Sequence, residues 1–109
     1  MSKEYSYLQA TPYQTDMSVA NISEIYYDLG EIIALSFDNR IDKRAIRKNI
    51  KAIKELNNSS GEMAEDVSMI LEEVEQATSS KHFPAQTIYK LSCIRNSLYK
   101  TMLQKESVA

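Results

Sequence analysis

Residues 16–38 read DMSVANISEIYYDLGEIIALSFD, and this stretch decides the fold. Its apolar residues Ile22, Ile25, Tyr26, Leu29, Ile32, Ile33 and Phe37 recur at steps of three and four, so at helical pitch they collect on one side. Val19 and Leu35 widen that face, which predicts a central helix touching more than one neighbour. Asp16 or Ser18 supplies the N-cap, because either side chain accepts from the unpaired N–H groups of a first turn. Gly30 falls at the edge of the apolar face, where it either lets another backbone come close or costs about 1 kcal/mol of helix propensity without return.

Three further amphipathic segments follow. Asp38-Asn39-Arg40 reads as a turn, and Asp42 caps a second helix that runs to Leu56 with Ile46, Ile50, Ile53 and Leu56 on one side and Ala45 and Ala52 beside them. Arg40, Lys43, Arg44, Arg47, Lys48, Lys51 and Lys54, seven of the thirteen basic residues, crowd this segment, where only Asp42 and Glu55 are acidic. Asn57 to Gly61 is loop chemistry, and Ser59 with Glu62 has the spacing of a capping box. The third helix runs to Ala77 with Met63, Val67, Ile70, Leu71, Val74 and Ala77 inward, and all its charges are acidic: Glu62, Glu65, Asp66, Glu72, Glu73 and Glu75. After Thr78 to Phe83, Pro84 opens a fourth helix whose inward stripe is Ile88, Leu91, Ile94, Leu98, Tyr99 and Met102, with fraying expected from Gln104 onward.

Two Gly and two Pro leave little punctuation for hairpins, and 109 residues with 43% hydrophobic content allow one core. The expected architecture is all-α: a small four-helix, mainly antiparallel bundle over residues 15–109, preceded by a flexible Tyr-rich arm over residues 1–14. No apolar run approaches the roughly 20 residues that span a bilayer, and the first residues lack the apolar stretch of a secretory signal, so the expected location is cytoplasmic.

Little in the chain suits catalysis. Cys93 is the only cysteine and His82 the only histidine, so neither an internal disulfide nor a protein-only zinc site is expected. On the wheel Cys93 projects away from the apolar stripe, about three turns from His82, which leaves the thiol without a base. The pairs Glu62/Asp66 and Glu72/Glu75 lack the E-x-x-H partner of a carboxylate–metal bundle and read as a solvated acidic face. The two glycines lie too far apart for a phosphate loop. The expectation is a protein with no enzymatic activity, cofactor or metal.

Partner binding is better provided for. Tyr5, Tyr7 and Tyr13 make the arm richer in aromatics than a solvating tail needs, and Tyr freezes few rotors for its contact area. Arg95 interrupts the inward stripe of the fourth helix close to Tyr99, so its stem either covers the core while its head reaches water, or it belongs to a docking groove. Tyr5, Tyr7, Tyr13, Arg95 and Tyr99 are therefore the expected partner-binding residues. The basic stripe from Arg40 to Lys54 has three readings: it is neutralised by the acidic third helix, it receives an acidic protein, or it binds nucleic acid through phosphates. Against nucleic acid stand a net charge of −2 and the lack of aromatic, Asn or Gln residues among the basic positions.

Ile88-Tyr89-Lys90-Leu91, following a Ser-rich loop with Pro84 and preceding Leu98-Tyr99, resembles the third-helix region of the small cytoplasmic immunity proteins that protect producers of class II bacteriocins. The resemblance implies a four-helix bundle and self-protection by binding a bacteriocin–receptor complex. It is confined to this stretch, and the chain departs from the family pattern in its longer N-terminal arm and in ending where a further helix should follow. The expected function is that of a non-enzymatic protein–protein interaction module: a small adaptor, chaperone-like subunit, inhibitor or immunity protein presenting helical faces to another protein. A nucleic-acid-associated accessory role through the second helix is the alternative, and a homo-oligomer is compatible with the same faces.

Overall fold

A computed structural model describes residues 10–38, 40–80 and 83–108. Among them the chain forms four helices and no strand: α1 (Val19–Ser36), α2 (Lys43–Leu56), α3 (Glu62–Ala77) and α4 (Ala85–Val108). The all-α bundle expected from the apolar stripes is what the chain forms. Ser18 caps α1, its hydroxyl accepting from Asn21 N–H at 3.2 Å, and Asp42 caps α2 by accepting from Ala45 N–H at 3.0 Å. The capping box at Ser59 does not form. Gly61 takes the N-cap of α3 with φ 111°, a conformation that glycine adopts at no steric cost, so the helix starts from backbone shape and not from a side-chain cap. Helix α4 continues to Val108, well past the expected fraying point at Gln104.

Helix α1 is the hub. It packs against both α4 and α2, while α3 packs on α4 and meets α2 sparsely. Ile22, Ile25, Leu29 and Ile32 of α1 are fully buried, and Ile46, Ile53, Val67, Leu71, Val74, Leu91 and Leu98 close the same core. Phe37 was placed on this face by its spacing, but it lies one residue beyond the last turn of α1 and is 70% exposed. Tyr26 lies beside Tyr99 and Gly30 beside Arg95, so α1 and α4 run antiparallel. Lys90 joins Glu73 at 2.8 Å while Tyr13 bridges Asp66 and Thr101, which gives α3 and α4 the same relation.

Helices α2 and α3, expected from their short loop and opposite charges to be adjacent and antiparallel, do meet in that sense but pack on each other only sparsely. Asn57 reaches Ala64 and Ser68, yet Lys54, three residues earlier, pairs with Glu75 near the far end of α3. As the contacts step back along the chain from Asn57 to Lys54 they step forward along α3, which is the antiparallel order.

The segment before α1 departs most from expectation. Read as part of a flexible arm, residues 10–14 instead lie along the bundle. Lys100 Nζ donates to Ala10 C=O at 2.7 Å, and Tyr13 N–H donates to Thr101 Oγ1 at 2.8 Å. Tyr13 Oη donates to Asp66 Oδ2 at 2.8 Å, and Tyr13 and Met17 both belong to the core. The segment is held because its aromatic ring is buried together with a satisfied hydroxyl, the form in which tyrosine is stable inside a protein.

Candidate interaction surfaces

On α4, Ser92, Arg95, Asn96 and Tyr99 stand at i, i+3, i+4 and i+7, which places them on one face. That face meets α1 at Tyr26 and Gly30. Arg95 Nε donates to Tyr26 C=O at 2.9 Å, and the guanidinium carbon lies 3.8 Å from the centroid of the Tyr26 ring. A helical carbonyl keeps a second lone pair after accepting from its own helix, and a Cβ four residues on would obstruct the approach to it. Gly30 removes that Cβ. A methyl there would sit 2.7 Å from Arg95 Nη2 and 2.8 Å from its Cζ, so the glycine is the seat of the guanidinium. Neither role expected of Gly30 is the one realised: the group that comes close is the Arg95 side chain and not another backbone.

The aromatic residues extend the seat outward. Tyr26 and Tyr99 lie 6.0 Å apart in a tilted arrangement, and Tyr27 packs edge-on against Tyr26 at 5.4 Å. Tyr27 is 68% exposed and Tyr99 47%. A notch of about 300 Å³ opens here, lined by Tyr26, Ser92, Arg95, Asn96 and Tyr99. Arg95 uses only Nε among the described residues, so its outer nitrogens are free to donate to a carbonyl or carboxylate, the planar pairing that guanidinium favours.

Of the five expected partner-binding residues, the structure brings Arg95 and Tyr99 together. Tyr5 and Tyr7 lie outside the described residues. Tyr13 is 8% exposed with its hydroxyl donating inward, so it is a core anchor and not an exposed contact. Tyr99, assigned also to the inward stripe, faces out. Both changes on α4 have one cause: Thr87, Cys93, Ser97 and Thr101 are buried, which turns the core-facing side away from Arg95 and Tyr99. Thr101 returns its hydroxyl proton to Ser97 C=O at 2.7 Å, so a polar residue enters the core satisfied. Cys93 is buried by the same rotation, against the outward position read from the wheel. Burial pushes its thiol pKa up, and a hydrogen bond with the Tyr89 side chain opposes that only in part. Tyr27 carries no signal in the sequence, while Tyr26 and Gly30 read as part of the apolar face and its edge and not as site residues; a glycine in mid-helix opposite an arginine-bearing stripe is the signal that could have joined them.

The second surface is α2. Arg40, Lys43, Arg44, Arg47, Lys48, Lys51 and Lys54 are all exposed. Among the described residues only Lys54 has a carboxylate partner, Glu75 at 2.7 Å, so the expected neutralisation by α3 reaches one cation. The acidic face of α3 is itself smaller than expected, since Asp66 is buried beneath Tyr13 and Glu73 pairs with Lys90. On α1, burial and then the neighbouring Glu31 and Glu24 push the Asp28 carboxyl pKa up. No group of three or more His, Cys, Asp or Glu side chains converges among the described residues, and no described helix is long and apolar enough to cross a membrane.

The fold and these two surfaces define a class, an all-α bundle with an arginine-centred aromatic notch on one side and a cationic helix on another. No protein-family model, curated protein or solved structure matches the chain.

Proposed function

We propose that this protein is a non-enzymatic protein-interaction module, with the notch between α1 and α4 as its anchor site. The observation that carries the reading is the pairing of exposed Tyr27 and Tyr99 with an Arg95 whose stem and Nε are held by Tyr26 and Gly30 while its outer donors stay unused. Tyr and Arg are the residue types that dominate binding hot spots, and a guanidinium already fixed by its own fold has less ordering entropy left to lose on binding. Adaptor, chaperone-like, inhibitory and immunity roles would all use such a site.

The test compares the full chain with a Tyr27→Ala/Tyr99→Ala variant, which truncates exposed rings and leaves the core alone. Proteins crosslinked through a photoreactive group placed at exposed Glu31, one turn from Tyr27, in the otherwise wild-type chain should be lost when the variant carries the same group there, while the unfolding midpoints agree. Recovery of the same proteins by both chains rules the notch out as the anchor.

A further inference from the structure

Among the described residues, helix α2 carries the densest run of cations without carboxylate partners. Lys43, Arg47 and Lys51 follow one another at four-residue steps, about 6 Å apart along the axis, with Arg44 and Lys48 forming a parallel row. These five cations have no carboxylate within 4.0 Å among the described residues. The opposite face of α2 is locked in the core through Ile46, Asn49, Ile50 and Ile53, so the rows stand on a rigid support.

What borders α2 limits what can sit on it. Its two neighbours, α1 and α3, both carry exposed carboxylates: Glu24 and Glu31 on the first, Glu62, Glu65 and Glu72 on the second. A polyanion much wider than one helix brings its charge toward these neighbouring acidic helices as well as toward α2. A duplex, which places phosphate strands on both sides of an inserted helix, is therefore disfavoured, as is the plane of an anionic membrane. Asn49, the one amide on α2 that could pair with an adenine edge, is buried, so only the Arg and Lys side chains themselves could reach bases. A single acidic polypeptide segment, about 10 Å wide as a helix and with carboxylates repeating at the same 6 Å pitch, fits within the cationic rows.

We infer that the exposed face of α2 is a docking site for an acidic protein segment of one-helix width, bound chiefly through Lys43, Arg44, Arg47, Lys48 and Lys51. The site rests on the reading of the chain as a protein-interaction module, on a face separate from the notch, and it specifies one partner's chemistry.

The experiment titrates the full chain with a fluorescent helix-forming peptide of Glu and Ala, about 15 residues long to match α2, with carboxylates at four-residue steps. Parallel titrations use a random-sequence duplex of similar length and phosphatidylserine-rich vesicles. The peptide should bind most tightly, lose affinity steeply with salt, and bind an Arg47→Glu/Lys51→Glu variant at least tenfold more weakly, a change of about 1.4 kcal/mol. A Tyr27→Ala/Tyr99→Ala variant should bind it like the wild type. Far-UV spectra and unfolding midpoints confirm that the charge-reversed chain is folded, and an Arg44→Gln/Lys48→Gln variant, weakened without reversal, gives a second measure. Failure of the peptide to bind, equal binding by the reversed chain, tighter binding of duplex or vesicles, or peptide-independent self-association that the reversal abolishes would each overturn the assignment. Loss of the α2 site with notch-dependent crosslinking intact would leave the module reading standing; the converse would remove the notch alone.

Discussion

Gly30 and Arg95 are each unfavourable by local rules and favourable together. A glycine in mid-helix gives up about 1 kcal/mol relative to alanine, and an arginine beside a core loses hydration. Their juxtaposition supplies a stacking contact worth about 0.5–1 kcal/mol at such a site and a charged hydrogen bond worth about 1.5–3 kcal/mol. Gly30→Ala should therefore destabilise the protein by about 1 kcal/mol, because evicting the guanidinium outweighs the propensity gained. The same change made in an Arg95→Ala background should stabilise it by a similar amount, and urea unfolding of the four chains checks this reversal of sign. Tyr13 makes a second test at this scale. Tyr13→Phe keeps the buried ring and removes the donor to Asp66, which should cost about 1.5–3 kcal/mol because a buried carboxylate loses a partner. A change within error in denaturant midpoint would show that the hydroxyl does not anchor the segment before α1.

Among the elements, α1 and α2 have opposite electrostatic problems. Asp28 on α1 has a pKa above its ordinary value in the folded chain, from burial first and then Glu31 and Glu24. Between the unfolded and folded values the native state binds more protons, so this group lowers stability as pH rises through that window, and the penalty is complete at neutral pH. Asp28→Asn should raise stability at neutral pH by less than about 1 kcal/mol, since the group is partly solvated and screened. The gain should vanish as pH falls below the ordinary range of an aspartate; a gain that persists in acid would mean it arises from something other than charge. On α2, Lys54→Glu should lower stability at low salt by up to about 1 kcal/mol through its contact with Glu75. Lys51→Glu should have no such effect, because Lys51 has no partner across the helix pair. Equal losses at both positions in thermal unfolding would mean that α3 neutralises the stripe more broadly than through Glu75.

For the molecule as a whole, Cys93 reports on cooperative opening, since its thiol is buried and its pKa raised within the packed face of α4. A thiol reagent should leave it unmodified in native buffer and label it only as the bundle unfolds in urea. Labelling well below the unfolding transition would mean that α4 detaches by itself. Much of this architecture could be read from local pattern. Ile22, Ile25, Leu29 and Ile32 repeat at helical pitch and are buried for that reason, and Ser18 and Asp42 cap their helices through bonds spanning three residues. The cationic row of α2 was legible too, because charges opposite an apolar stripe must face out. Contacts between residues far apart in sequence were not legible. Tyr13 enters the core through Asp66 and Thr101, separated from it by 53 and 88 positions. Thr87, Ser97 and Thr101 are buried because neighbouring groups satisfy or surround them, which their polarity alone could not indicate. Periodicity and capping act within a turn, so both follow from local sequence alone. The rotation of α4, the seat of Arg95 on Gly30 and the sparse packing of α2 on α3 were decided only by tertiary packing, because each depends on which surface another helix brings against it.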